Sequence, residues 1–379
     1  MLTGVVIIQS LSGLFSDRSS AARSALLAAF PFQLDLVIAV RIYWVLKPLL
    51  SFVFFVTVFG FTAGDGRGED IFRIGIIGLD TSHSPAFTKL FNQQPPVPEL
   101  GPCRVVAAYP YGSRTIKSSA DRIPQYTEQL RELGIEICDS IADLLQNVDG
   151  VLLETNDGSL HLEQAREVIA AGKPMFVDKP VAAQFTDVVA IYDLAAKADV
   201  PIFSCSSLRY SSGAQALRAG EHGKVLGCDA YSPCSLEPSH SDLFWYGIHG
   251  VETLFTVMGP GCRSVTRTQT PDFDVVVGRW ADGRIGTFRG IRRGKNGYGG
   301  TAFTDTTIRP IGDYEGYRPL VLEIAKFFQT GKPPIDPAET IELYAFMTAA
   351  QASSEQGGIP ITIADVMEQA SADRPATEP

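Results

Sequence analysis

From residue 71 the chain alternates between two hydrophobic patterns. Short apolar runs occur at FRIGII (72–77), CRVVAAY (103–109), GIEIC (134–138), DGVLLE (149–154), MFVD (175–178) and PIFSC (201–205). Between them, stretches 84–92, 119–132, 140–147, 161–171 and 184–198 mix apolar and polar residues in the manner of amphipathic helices. Strands separated by helices predict right-handed βαβ crossovers and a mostly parallel sheet. Val151–Leu153 carries no polar alternation, as expected of a strand covered on both faces. Residues 70–205 are therefore expected to form an α/β, doubly wound domain.

The pattern changes after residue 205. Residues 263–309 hold short β-rich pieces (Phe273–Trp280, Ile285–Ile291, Ala302–Ile308) with glycine turns, followed by helical stretches 318–330 and 337–355. These predict a second, α+β domain over 206–365, with a tail at 366–379.

The head of the chain is a different material. Residues 1–63 carry four basic and two acidic residues, whereas the chain as a whole has a net charge of −10. Residues 48–64, PLLSFVFFVTVFGFTAG, contain no charge, follow Arg41 and Lys47, and end in Thr62-Ala63-Gly64. That is the pattern of an export signal with a small-residue cleavage site. It is slightly short for a span of about 20 residues. Some 40 residues precede it, so a start codon near residue 45, a cleaved signal and a retained anchor all remain open. Residues 1–69 are set aside from the fold, and export to the periplasm or membrane anchoring through this segment is the expected location, with the cytoplasm as the alternative.

With 379 residues, 45% hydrophobic and 20% charged, the chain can bury a large core, which excludes global disorder and a coiled coil. The acidic balance and the lack of any Lys/Arg block argue against a nucleic-acid surface. Six cysteines (103, 138, 205, 228, 234, 262) show no metal-ligand spacing, and no metal site is expected in the chain. Most read as buried thiols, with a Cys228–Cys234 bridge left open.

In a doubly wound sheet, ligands bind at the carboxyl ends of the strands. The first such turn reads Gly78-Leu79-Asp80-Thr81-Ser82-His83. A dinucleotide fingerprint beginning at Gly78 needs glycine at 80 and 83, where this chain has Asp80 and His83. Thr81 and Ser82 can still offer amides and hydroxyls to an anion at a helix N-terminus, or form an ordinary helix cap. After the second strand no acid awaits a ribose hydroxyl. Ser113 and Arg114 stand there instead and suit a 2′-phosphate, unless Arg114 is merely a solvated loop residue.

The run 154–180, ETNDGSLHLEQAREVIAAGKPMFVDKP, resembles the Gfo/Idh/MocA oxidoreductases, whose H-x-x-x-A helix leads through A-G-K to a strand ending in E-K-P. Here those elements are His161, Ala165, Ala171-Gly172-Lys173 and Asp178-Lys179-Pro180. Gly247-Ile248-His249-Gly250-Val251-Glu252 resembles the family's G-x-H-x-x-D segment. The resemblance spans roughly residues 71–365. It implies a Rossmann domain, a C-terminal domain with an open, mostly antiparallel sheet, a homo-oligomer, and hydride transfer between NAD or NADP and a sugar, polyol or related hydroxy compound. In that reading Lys179 and His249 are catalytic, and the cofactor lies on Gly78, Asp80, Thr81, Ser82, His83, Ser113, Arg114, Asn156 and Lys179.

The chain also departs from the family. Trp245 replaces an acid four positions before the histidine and, with Tyr246, offers a flat face for a sugar ring. Arg209, Tyr210, Trp245 and Glu252 are expected at the substrate. The replaced glycines and the export-like head keep a second reading open, a non-redox descendant that binds carbohydrate or an NAD-assisted glycosidase or lyase. An exported redox enzyme would need a tightly held cofactor.

Overall fold

The computed structural model describes residues 71–373. The charge-free 48–64 run, the expected export signal and the last residues of the tail lie outside them. No helix among the described residues is long and apolar enough to cross a membrane.

The first sheet contains β1 (Phe72–Ile77), β2 (Cys103–Tyr109), β3 (Glu136–Ile137), β4 (Gly150–Leu153), β5 (Met175–Val177) and β6 (Ile202–Phe203). Their order is β3-β2-β1-β4-β5-β6, with every pairing parallel. The winding reverses between β1 and β4, which places the switch point where their carboxyl ends diverge. β4 and β5 are buried along their whole length, as their unbroken apolar runs require. Gly75 lets helix Ile141–Gln146 close on β1, since a Cβ there would sit 2.6 Å from Leu144.

Helices cover both faces at His83–Phe91, Ile123–Glu132, Ile141–Gln146, His161–Ala170 and Phe185–Lys197. The stretch read as one helix over 119–132 is two, Lys117–Ala120 and Ile123–Glu132. Pro124 explains the break. It has no N–H for a continuing ladder but suits the first turn of a new helix.

The second sheet comprises β7 (Val225–Pro233), β8 (Cys262–Gln269), β9 (Phe273–Trp280), β10 (Ile285–Ile291), β11 (Gly299–Thr304), β12 (Ile308–Pro310) and β13 (Ile361–Thr362). Its order is β12-β11-β7-β10-β9-β8-β13. Only the β7–β10 pairing is parallel. The piece expected as a single strand over 302–308 is a hairpin whose arms, β11 and β12, pair antiparallel. β7 escaped the sequence reading because its polar residues face outward beside Gly227 and Pro233. One face of this sheet is covered by helices Ile248–Met258 and Pro337–Glu355; the other is open.

The two sheets share a core. Helix Phe185–Lys197 of the first packs on helices Pro337–Glu355 and Ile363–Ala372 of the second. Helix Arg318–Thr330 turns back onto the first sheet, where Phe328 stacks on Phe72 at 5.1 Å and Phe327 meets Phe203 edge-on at 5.0 Å. All six cysteines are buried free thiols, so the Cys228–Cys234 bridge does not form.

Candidate active site

A cavity of about 300 Å³ lies at the carboxyl ends of the first sheet. Thr81, Ser82, His83, Asn156 and Lys179 form its floor. Trp245, Tyr246, His249 and Tyr298 face them, and Tyr314 and Tyr317 close one side. Ser118 and Arg122 reach in from the broken helix after β2.

The β1 turn explains one wall. Gly78 has φ +94°, and a Cβ on it would lie 2.4 Å from the Thr155 amide nitrogen, so only glycine fits this crossing between β1 and the loop after β4. Its carbonyl accepts from Ser84 Oγ at 2.8 Å. Two residues on, the Asp80 carboxylate is fully buried and accepts from the amides of Ser113 at 3.0 Å and Asn156 at 2.9 Å. Burial pushes its pKa up to about 6, against the pull of those two amides. Ser113 is buried as well and donates from Oγ to Asp157 at 2.7 Å. The expected 2′-phosphate contact is therefore corrected, because the Ser113 hydroxyl is already committed and Arg114 points to solvent away from the cavity.

These positions set the fit to a dinucleotide. The N-terminal turn of helix His83–Phe91 brings Thr81 and Ser82 to the cavity, opposite Ser118 and Arg122. Helix-terminal amides, hydroxyls and a guanidinium suit phosphate oxygens. Asn156 and Lys179 continue that wall inward. At the far end, the network joining Asp80, Ser113 and Asp157 fills the gap between the β2 and β4 loops. Gly112 packs so closely on Asp80 that a Cβ there would lie 2.6 Å from the carboxyl carbon. The phosphates and nicotinamide of a dinucleotide would find fitting partners here, whereas the filled gap between the β2 and β4 loops offers none to an adenosine.

Beneath the floor, three ionisable groups meet from three strand ends. His83 Nδ1 lies 2.7 Å from Asp178 and 3.7 Å from Glu154. Glu154 is fully buried, and neither of its carboxyl oxygens has a hydrogen-bond partner. Burial, then the charge of Asp178, raises its pKa well above the ordinary range. Burial acts the same way on Asp178, but His83 and Lys179 outweigh it and hold that carboxyl below its usual value.

Across the cavity, His249 Nδ1 bonds the Ser206 hydroxyl at 2.8 Å. Its ring meets Tyr246 and Tyr298 edge-on at 5.5 and 5.6 Å. Burial, reinforced by the charges of Lys179 and His83, pushes its pKa well down, so the imidazole is neutral at pH 7. Trp245 lines the cavity and leans on His240, with ring centres 4.9 Å apart.

Three expected substrate residues are not at the cavity. Arg209 is buried between Glu252 and Glu339, bonding Glu339 at 2.8 Å, and Arg218 also holds Glu339, at 2.6 Å. A guanidinium saturated by two carboxylates has no fork left for a ligand, so both Arg209 and Glu252 are structural. Tyr210 packs among the apolar residues beneath helix Arg318–Thr330. In contrast, Glu154, Ser118, Arg122, Tyr298, Tyr314 and Tyr317 were not anticipated. Only Glu154 had a visible signal, a lone acid closing an apolar strand. The tyrosines come from loops whose approach depends on the second sheet.

Residues 72–205 match the model of the Gfo/Idh/MocA oxidoreductase family, NAD-binding Rossmann fold. The matched residues are those of the parallel-sheet domain, and a mixed, mostly antiparallel second sheet follows them. No curated protein matches it. Among solved structures it is similar to myo-inositol 2-dehydrogenase from Lactobacillus plantarum, with 17% identity and a TM-score of 0.63 over 77% of this chain and 99% of that one. It is also similar to scyllo-inositol dehydrogenase from Lactobacillus casei with bound NAD(H) and scyllo-inositol, with 15% identity and a TM-score of 0.62 over 78% of this chain and 100% of the other. A probable dehydrogenase from Thermotoga maritima aligns at 20% identity and TM-score 0.62, covering 78% and 99% of the two chains.

Proposed function

We propose that this protein is an NAD(P)-dependent dehydrogenase that oxidises a secondary hydroxyl of a small polyhydroxylated compound, or reduces the corresponding ketone. The observation that carries this reading is the convergence of Lys179, Asn156 and neutral His249 on one cavity walled by aromatic rings. A sugar or cyclic polyol presents apolar C–H faces to rings such as Trp245 and Tyr298, while its hydroxyls meet Lys179 and His249. Two of the similar structures are inositol dehydrogenases, one of them with scyllo-inositol bound, and an inositol is of this chemical kind.

When bound, the nicotinamide supplies the acceptor or donor of the hydride. Thr81, Ser82, Ser118 and Arg122 would hold its phosphates, with Asn156 and Lys179 beside the nicotinamide end. The side chains handle the proton. In the tautomer whose Nδ1–H donates to Ser206, His249 Nε2 is the basic nitrogen and accepts the hydroxyl proton as the alcohol is oxidised. The Lys179 ammonium donates to the same substrate oxygen and stabilises its growing negative charge. Tyr314 and Tyr317 limit water at that point.

The full chain, denatured after purification, should release dinucleotide detectable by mass spectrometry, or bind added NADH or NADPH at micromolar concentration by fluorescence. Lys179→Ala should then lose turnover while its circular dichroism and melting temperature stay unchanged. An unchanged rate would remove Lys179 from the mechanism. The buried Asp80 carboxylate, standing where the family has glycine, supports a second reading: a carbohydrate-binding or non-redox enzyme on the same fold. Absence of binding at millimolar NADH and NADPH would select it.

The open face of the second sheet supports self-association. Tyr231, Phe273, Ile285 and Phe303 project there from neighbouring strands, each at least partly exposed. Apolar rows of this kind mark protein contacts.

A further inference from the structure

Three features compete for an unexplained role: the open groove beside Tyr246 and Tyr298, the Arg209–Glu252–Glu339–Arg218 cluster, and the acids beneath the cavity floor. The groove is continuous with the cavity already described, and the arginine cluster satisfies itself. The acids do not.

Glu154 ends β4, Asp178 follows β5, and His83 opens the helix after β1, so three adjacent strand ends aim one side chain each at a single point. One ligand atom from each, the imidazole nitrogen and two carboxylate oxygens, lie within 4.8 Å of one another. A single ion with ligand bonds of about 2.0–2.2 Å spans such a set after small side-chain adjustments. The second observation is independent of that spacing. Both oxygens of Glu154 are fully buried and neither has a hydrogen-bond partner, the His83 ring nitrogen staying 3.7 Å away. An orphaned buried carboxyl costs several kcal/mol in general and is rare in native proteins.

The position of the cluster points the same way. His83 itself lines the cavity, whereas Glu154 and Asp178 lie beneath it. An ion held there would be closed by protein on one side and open to a ligand on the other, the arrangement of three-ligand catalytic sites.

We propose that His83, Glu154 and Asp178 bind one divalent transition-metal ion, of the Mn²⁺ or Zn²⁺ type, whose free coordination position faces the cavity. One imidazole with two carboxylates is a donor set for such ions rather than for a thiophilic metal. The ion takes an oxygen of the substrate, most readily one of two adjacent oxygens as in a vicinal diol or an α-hydroxy acid. It adds a Lewis acid beside Lys179. The proposal does not depend on the dinucleotide reading, because the ion's ligands are all protein side chains.

The test uses the full chain without a polyhistidine tag, stripped with EDTA and titrated with Mn²⁺ by electron paramagnetic resonance and with Zn²⁺ by calorimetry, no dinucleotide being present. One ion per chain is expected, together with a rise in melting temperature. Glu154→Gln, nearly isosteric, should weaken binding by more than about 100-fold, beyond the 10–100-fold typical of outer partners. His249→Ala, which lines the cavity outside the cluster, should leave metal affinity within about threefold. Asp178→Asn repeats the comparison if Glu154→Gln does not fold. No binding at millimolar metal, or equal affinity in a folded cluster variant, overturns the site. A metal-binding protein that ignores both NADH and NADPH would leave this site standing and remove the redox reading.

Discussion

At the scale of single residues, burial decides which polar groups serve chemistry and which serve the fold. Arg209 is the clearest case of the second. Removing it leaves Glu252 buried without a cation, while Glu339 keeps Arg218, so Arg209→Ala should lower stability by about 3–5 kcal/mol in a urea titration. A loss below about 1 kcal/mol would show that the pair is not isolated from water. Glu339 also carries a pH dependence. Burial would raise its pKa, but Arg218 and Arg209 hold it below the ordinary value. A depressed carboxyl stabilises the folded state above its unfolded pKa, about 4.3. That contribution disappears as pH falls from there through the folded value. Urea midpoints measured below about pH 5 should therefore decline more steeply in the parent than in Glu339→Gln. Gly78 makes a backbone demand of equal strictness. Gly78→Ala forces a Cβ against the Thr155 amide at positive φ, and a loss of more than about 1 kcal/mol is expected from chemical unfolding.

At the scale of elements, the β1 turn carries the chain's departure from the usual dinucleotide cradle. Its glycine at 78 serves the crossing over Thr155, while Asp80 ties the loops after β2 and β4 together. The charge and bulk of Asp80 should hinder a pyrophosphate or ribose near the turn. Asp80→Gly is expected to tighten NADH binding by about tenfold, or about 1.4 kcal/mol, in a fluorescence titration. Weaker binding would mean that the bonds to Ser113 and Asn156 shape the cofactor seat rather than block it. The helix from His83 was legible from its apolar spacing. The role of its first residue was not, because His83 meets Asp178 across 95 residues of chain. The second-sheet strands β9 and β10 were legible to the residue, since one face is buried and the other open. β7 was hidden by Asp229 and Tyr231, which look outward from a strand that lies in the middle of the sheet.

At the scale of the whole molecule, the second sheet presents a surface that one copy does not use. Cross-strand neighbours Phe273 and Ile291, and Val275 and Val277 beside them, place apolar side chains on its open face. Light scattering of the full chain should give a multiple of 41.0 kDa. Val277→Arg should shift that mass to the monomer without altering the melting of the core. A monomeric parent would remove the sheet face as an interface.

Local pattern determined a great deal here. Unbroken apolar strands alternating with amphipathic helices could satisfy their buried faces only as a doubly wound parallel sheet, and the run from Glu154 to Pro180 carried its family resemblance in consecutive residues. Lys179 and His249 were legible because each sits inside such a motif. What tertiary structure alone decided is where side chains from distant segments meet. Arg209 looked like a ligand fork until Glu252 and Glu339 closed on it. Ser113 looked free until Asp157 claimed its hydroxyl. Tyr314 and Tyr317 had no motif at all, yet the return of helix Arg318–Thr330 to the first sheet carries them to the cavity. The cluster of His83, Glu154 and Asp178 has no sequence spacing to betray it. It exists because β1, β4 and β5 lie side by side, and parallel strands deliver their carboxyl ends to the same place.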